Sequence, residues 1–349
     1  MNYLRWLVVI IKSIKIKLIS KLRFELFINA FNRAFINKRN KKEILEYLIN
    51  LESNIINLMD DIYTGNYHLG EYKTFYIHEP KMRIIRSLPF RDRIVHQWYV
   101  EEFLKPYYFK NLIYDTYACI EGRGTHKAVK RLHSFMKSIN DDYYVIKFDI
   151  KKYFENIDKD ILFGILKKKI KDKYLLDFTY KMIYENNGFS GICIGNYTSQ
   201  WFANIYLNEL DHYVKEVLNI KYYLRYMDDF IVLVPNKERA KDIYNEFYKY
   251  VISKLHLELN KKSRYYSIRY GCEFCGYIVY RDYIKIRKRV KKRINKSVKV
   301  WNHLYKNNRF NYNKFIAGYN SYISYLKHAN TSNYIRLINS KIIYFKVKN

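Results

Sequence analysis

The sequence predicts an α+β fold, and three observations carry that prediction. Residues 222–234, YYLRYMDDFIVLV, hold two short β-branched and aromatic runs around Met227-Asp228-Asp229, the pattern of a hairpin with two carboxylates at its tip. Residues 144–150, YVIKFDI, repeat the buried-strand pattern and place Asp149 near a strand end. Apolar positions at helical spacing fill much of the rest, above all residues 1 to about 65 and about the last 45.

Taken in order, the N-terminal MNYLRWLVVIIKSIKIKLI is basic and apolar. Its uninterrupted apolar run, residues 6–11, is too short to span a bilayer, and a signal peptide needs a longer core and a small-residue cleavage site. An amphipathic helix without a membrane span is expected, with binding to a membrane surface as the lesser alternative. Ile44, Leu45, Leu48, Ile49, Leu51, Ile55 and Ile56 continue the helical spacing until Gly65-Asn66 and Gly70 break it. Residues 72–78 then alternate as a strand would. Residues 80–97, PKMRIIRSLPFRDRIVHQ, gather Lys81, Arg83, Arg86, Arg91 and Arg93 around Pro89, and arginine suits bidentate phosphate contacts. A helix is expected over 94–109. In YDTYACIEGRGTH, residues 114–126, Gly122 and Gly124 permit close backbone approach and Arg123 lies between them. A template contact and a plain structural turn are equally good readings there.

Beyond Asp149, Asp158 is placed to cap a helix over 159–169. Residues 188–204, GFSGICIGNYTSQWFAN, form a loop entering a helix that runs to about Leu218. Gly191 and Gly195 let the loop bend, Thr198 or Ser199 starts the helix, and Gln200 projects from its first turn. Residues 238–255 read as an amphipathic helix. Residues 257–263, LELNKKS, read as a short strand followed by Lys261-Lys262, and residues 271–277, GCEFCGY, as a tight hairpin. From 284 onward, IKIRKRVKKRINKSVKVW reads as a strongly basic helix suited to duplex backbones.

Chemistry enters at the acidic residues. Adjacent carboxylates repel one another, and a divalent cation removes the repulsion. Hard oxygen ligands suit Mg²⁺, with Mn²⁺ as an alternative. Strand-end carboxylates on two strands could hold two ions about 3.5–4 Å apart, as in-line phosphoryl transfer requires. A lone Asp-Asp pair is more often a solvated turn; the flanking strands and Asp149 favour the metal reading.

Composition agrees. Across 349 residues the net charge is +31, from 64 Lys+Arg against 33 Asp+Glu, and such an excess attracts a polyanion. The 39 tyrosines fit base stacking, although an AT-rich genome would raise their number too. Hydrophobic residues at 49% suffice for a sizeable core. Cys272 and Cys275 form one C-x-x-C, with Cys119 and Cys193 far away, so buried free thiols in the cytoplasm are expected rather than structural zinc.

These pieces stand in the order seen in reverse transcriptases of the bacterial retroelement type: PKMRIIRSLPFRDRIVHQ, YDTYACIEGRGTHKA, FDIKKYF, IGNYTSQWFAN, RYMDDF, LNKKS and FCGY, over residues 25 to 345. IGNYTSQWFANIYLNELDHYVK and YISYLKHANTSNY most resemble reverse transcriptases of diversity-generating retroelements. The resemblance implies a right-hand polymerase: an N-terminal helical region (1–65), fingers with the first palm segment (66–148), a palm with an antiparallel sheet (149–280) and a basic helical thumb (281–349). It implies catalysis by Asp149, Asp228 and Asp229, with metal bound by these and the Ile150 carbonyl. It implies nucleotide binding by Lys81, Arg83, Lys152, Tyr153, Phe154, Gln200 and Lys262, Phe154 being the sugar-selecting gate. Template or primer would meet Arg123, Gly195, Ser199, Tyr226, Met227, Gly276 and Tyr277. Partners so implied are a structured template RNA, an RNA–DNA duplex, dNTPs and a basic accessory protein. Cys193, Cys275 and Ser263 depart from the commoner Pro, Leu and Thr. No maturase, nuclease or integrase region follows the thumb, which points away from a complete group II intron protein. Two other readings are a phage-defence reverse transcriptase and an RNA-binding scaffold without catalysis; intact Asp149, Asp228 and Asp229 weigh against the scaffold.

Overall fold

The computed structural model describes residue 14 and residues 16–38, 40–78, 82–185 and 188–348, with side chains as far as 345. Most of the expected N-terminal helix, and Lys81, lie outside the described residues. Helices α1 (Phe24–Phe35), α2 (Lys42–Ile49) and α3 (Leu51–Thr64) precede a hairpin of β1 (Lys73–Ile77) and β2 (Arg83–Ser87). Then come α4 (Phe90–Tyr99), α5 (Lys105–Tyr108), α6 (Thr125–Lys137), β3 (Tyr144–Asp149), α7 (Tyr153–Asn156), α8 (Lys159–Lys169), α9 (Lys173–Tyr184) and α10 (Tyr197–His212). The hairpin β4 (Tyr222–Tyr226) and β5 (Asp229–Val234) leads into α11 (Lys237–Leu255), β6 (Arg264–Ser267), β7 (Cys272–Phe274), β8 (Tyr277–Val279) and β9 (Ile284–Ile286). Helices α12 (Lys288–Lys306), α13 (Tyr312–Leu326), α14 (Ser332–Lys341) and α15 (Ile343–Lys348) finish the chain. This mixture of helices with antiparallel sheets is the expected α+β class.

The chain divides into two compact units. The first comprises Met1–Tyr114, Ile150–Asn219 and Phe247–Asn260. Its helices bury an aromatic core in which Trp98 stacks on Phe27 at 4.8 Å and meets Phe103 and Phe178 edge-on. His96 is buried in this unit with Nδ1 2.6 Å from Thr198 Oγ1, and burial lowers its pKa to about 3, so the ring is neutral. Gly65, at φ 80°, closes α3, and the Asp158 carboxylate accepts the Asp160 and Ile161 amides at the start of α8, as expected.

The second unit comprises Asp115–Asp149, Ile220–Glu246 and Lys261–Asn349. It holds a four-stranded antiparallel sheet in the order β4-β5-β3-β6 and a three-stranded sheet β7-β8-β9. Val145, Leu224, Ile231 and Leu233 from one sheet face join a core with Leu132 of α6, Tyr277 and Val279 of β8, Ile294 of α12 and Phe315 of α13. Phe148, on the opposite face, stacks on Tyr244 of α11 at 5.3 Å.

Several expectations need correction. The helix over 94–109 begins earlier, at Phe90, and passes through a wider π turn at Val100–Leu104. Pro106, which has no N–H to donate, follows directly at the start of α5. Residues 257–263 supply only one bridge, Leu259 to Ile150, and the strand begins after the lysines, at Arg264. Residues 284–286 are strand β9, with Ile284 and Ile286 buried at period two, so the basic helix starts at Lys288. Cys119 sits at φ 57° in a turn and is exposed, whereas Cys193 and Cys272 are buried. Among the described residues no helix is long and apolar enough to cross a membrane.

Candidate active site

Strand register builds the acidic centre. β3 and β5 pair with Asp149 directly opposite Asp229, Phe148 opposite Phe230 and Lys147 opposite Ile231. Directly paired residues point to one face, with Cβ atoms about 4.5–5.5 Å apart. The two carboxylates therefore share a face at one end of the ladder. Tyr226 pairs with Asp229, which leaves Met227-Asp228 as a two-residue loop carrying the third carboxylate.

That loop demands a left-handed first residue, and Met227 supplies it at φ 55°. A bulky residue in this region costs roughly 1–3 kcal/mol and persists only when its surroundings hold it. Here Met227 is buried and its carbonyl accepts a bond from Arg225 Nη1 at 3.2 Å. Arg225 is fully buried. Its backbone N–H donates to the Asp115 carbonyl at 2.9 Å and its carbonyl accepts the Tyr117 N–H at 3.0 Å, so residues 115–117 brace β4. Arg131 Nε in turn holds the buried Asp115 carboxylate at 2.8 Å.

Two further side chains stand beside the carboxylates: Lys147, which the sequence did not single out, and Ser263, which it marked only as a departure from the commoner Thr. Lys147 Nζ lies 3.2 Å from Asp229 Oδ1 and donates to the Glu273 carbonyl at 2.6 Å. Burial raises the Asp229 pKa to about 6; Lys147 opposes the shift, while Asp149 and Asp228 reinforce it. The pairing of β6 with β3 stops at Lys147 and Arg264. Beyond it, Ser263 Oγ accepts the Asp149 N–H at 3.1 Å and donates to the Asp149 carbonyl at 3.2 Å. A hydroxyl thus continues the ladder at the residue that carries the carboxylate. The signal for Lys147 was its place two residues before Asp149, hence on the same strand face. Ser263 had no signal beyond that departure and its position after the lysine pair.

Other candidates in this unit divide between surface and core. Lys262 is exposed, and Tyr226 is half-buried with its hydroxyl 3.2 Å from the Thr125 hydroxyl that donates to it. Arg123 Nη1 donates to the Thr116 carbonyl at 2.7 Å, which makes it a brace of its loop. Cys275 and Gly276, at φ 46° and 88°, form the two-residue turn between β7 and β8. Tyr277 is fully buried, stacked on Tyr325 at 4.5 Å with its hydroxyl donated to the Tyr325 carbonyl at 2.9 Å. Its side chain is therefore committed to the core, and an outward contact at this turn falls to the backbone.

In the first unit, Lys152 begins α7 in the left-handed region at φ 45°, with its side chain exposed. Tyr153 is buried and donates to the Ala203 carbonyl at 2.6 Å, so it anchors the turn from beneath. The half-buried Phe154 uses its carbonyl to accept the Ile192 amide at 2.8 Å. A Cβ on Gly191 would lie 2.2 Å from that same carbonyl oxygen, which explains the glycine. Gly195 lies equally close to the Arg86 carbonyl, and Arg86 stacks its guanidinium over Phe189 at 3.6 Å. Arg83 is exposed at the start of β2, Ser199 is buried in the first turn of α10, and Gln200 beside it is half-buried. Ile150 bridges to Leu259. Asp149, Asp228, Asp229, Tyr226 and Met227 are thus assembled within the second unit, while Lys152, Tyr153, Phe154, Gly195, Ser199 and Gln200 belong to the first.

Among the described residues no three His, Cys, Asp or Glu side chains gather as a complete chelating cluster. The acidic centre offers hard carboxylate oxygens from a paired strand and a turn. That donor set fits an ion which takes one or two protein carboxylates and completes its shell with water and substrate phosphates.

Known proteins resemble the chain. It is 27% identical over 210 residues to the group II intron-encoded protein LtrA of Lactococcus lactis subsp. cremoris, a match covering 56% of this chain and 34% of LtrA. It is 31% identical over 97 residues to a putative COX1/OXI3 intron 2 protein of Saccharomyces cerevisiae, covering 25% of this chain and 11% of that protein. The chain thus spans about a third or less of the curated relatives it matches. A structure of telomerase from Candida albicans aligns with a TM-score of 0.47 at 11% identity, covering 72% of this chain and 55% of the other. Residues 77–279, which run from β1 through the acidic hairpin to β8, match the model of the family described as reverse transcriptase (RNA-dependent DNA polymerase), and the chain belongs to that family.

Proposed function

We propose that this chain copies an RNA into cDNA by nucleotidyl transfer with two divalent ions, Mg²⁺ or Mn²⁺. The observation that carries the reading is the register of Asp149 opposite Asp229, with Asp228 in the adjoining turn. Bound ions supply charge neutralisation at the transferring phosphate and activation of the attacking hydroxyl. Asp149 and Asp228 would hold the ions, joined by the Ile150 carbonyl, and Asp229 would support them. Arg83 and Lys81 would bind the triphosphate, together with Lys152 and Lys262. Phe154 would border the sugar, above the anchored Tyr153. Gln200, Gly195 and Ser199 would border the templating pair, with Tyr226, Met227 and the Gly276 turn near the primer. Residues 66–148 would serve as fingers and first palm segment, 149–280 as palm and 281–349 as a thumb whose basic α12 follows the duplex backbone.

The retroelement placement rests on IGNYTSQWFANIYLNELDHYVK and YISYLKHANTSNY, which favour a diversity-generating element with an accessory basic protein. Primer extension on an RNA template with Mg²⁺ and dNTPs tests both levels. Wild type should extend and Asp228→Asn should lose extension by at least about a thousandfold while still binding RNA. Equal extension by the two would sink the catalytic assignment. Errors concentrated at template adenines are expected; faithful copies or untemplated homopolymer would instead indicate the defence role.

A further inference from the structure

We propose that Lys147 is a resident counter-charge of the acidic centre, a positioning residue that holds Asp229 and tunes how tightly divalent ions bind. The proposal rests on the two-ion reading above. Lys147 stands two residues before Asp149 on the same strand face, diagonal to Asp229 across the β3–β5 ladder. Its Nζ donates to Asp229 Oδ2 at 3.3 Å and stands 3.2 Å from Oδ1 as an ion pair, while Oδ1 is buried and accepts no hydrogen bond. The Glu273 carbonyl accepts from the same nitrogen at 2.6 Å and fixes it from the side of β7. With side-chain exposures of 21% for Lys147 and 27% for Asp229, this is an inward-facing pair rather than a flexible surface contact.

The charge arithmetic gives the arrangement its meaning. Asp149, Asp228 and Asp229 bring three negative charges to one strand end, and Lys147 returns one positive charge. Asp229 is the carboxylate that Lys147 engages, which gives it the role of tethering the lysine beside the Asp149 and Asp228 ligands of the reading above. A divalent ion entering this corner is drawn by the carboxylates and repelled by Lys147. Removing the lysine charge should therefore tighten ion binding while disordering Asp229. A lysine that only joined β3 to β7 would affect stability and leave ion affinity alone.

The test is Mn²⁺ titration of the full chain at one pH, read from the paramagnetic resonance of free Mn²⁺, with thermal melting of the ion-free protein alongside. Lys147→Met should bind Mn²⁺ roughly tenfold tighter, the scale expected for deleting one unit charge near a divalent ion. Lys147→Arg should stay near wild type. The double variant Lys147→Met/Asp229→Asn, with the net charge restored, should return to wild-type affinity; it also serves if Lys147→Met alone does not fold. Unchanged or weaker binding by folded Lys147→Met, or a double variant far from wild type, overturns the proposal. Failure of the two-ion reading looks different: wild type would bind no Mn²⁺, or Asp149→Asn would bind it as wild type does.

Discussion

Ser263 shows how much of the placement of Asp149, the proposed metal ligand, is done by a neighbour. Its hydroxyl closes both backbone groups of Asp149 where β6 no longer reaches. Ser263→Ala should cost about 1 kcal/mol in urea unfolding, the usual worth of such bonds. Extension should fall by roughly tenfold, because small displacements of a reacting group are expensive. Ser263→Thr, which keeps the hydroxyl, should retain activity; equal rates for Ala and Thr would show that the clamp does not matter. At this scale the sequence was partly legible. That Asp149, Asp228 and Asp229 lie at strand ends and a hairpin turn could be read directly, because the strand runs around them are local. Arg225 could not, because an arginine in a chain of 64 basic residues carries no distinguishing mark until register places it, and Lys147 had only its place two residues before Asp149. Tyr277 misled in the opposite sense: its motif suggested an outward contact, whereas its ring fills the core.

Among the elements, the loop before α10 repays attention. Gly191, at φ 63°, lies with its Cα against the Phe154 and Glu155 carbonyls, and Ile192 bonds to the Phe154 carbonyl. This ties the loop to α7 by backbone alone. Gly191→Ala meets both a left-handed φ and a clash with rigid backbone, so it should destabilise the protein by about 3 kcal/mol. A denaturant midpoint within error of wild type would contradict that. The glycines announced a bend in the sequence, but their partners lay more than thirty positions away and were invisible there. Hairpins and long helices were legible because their periodicities are local. The boundary between β9 and α12 was blurred because Ile284 and Ile286 fit either period when read next to a basic helical run.

For the whole molecule, a net charge of +31 sets the expectation for nucleic-acid binding. If six or more phosphates are neutralised, affinity for an RNA–DNA duplex should fall about a thousandfold between 50 and 200 mM salt, with a linear double-logarithmic plot. Affinity nearly independent of salt would mean that stacking by the tyrosines dominates instead. The division into two units was not legible, since each is assembled from three separated stretches of chain. The ladder between β3 and β5 has a last consequence, for the protein's own synthesis. Asp149 leaves the ribosome well before Asp229, and the two meet only when a long-range strand pairing closes, the slow kind of step in folding. A slip of one residue would send Asp229 to the opposite face. A nascent chain therefore brings Asp149 and Asp229 together only once β5 has been made and has found β3, and on the proposed function no activity precedes that pairing.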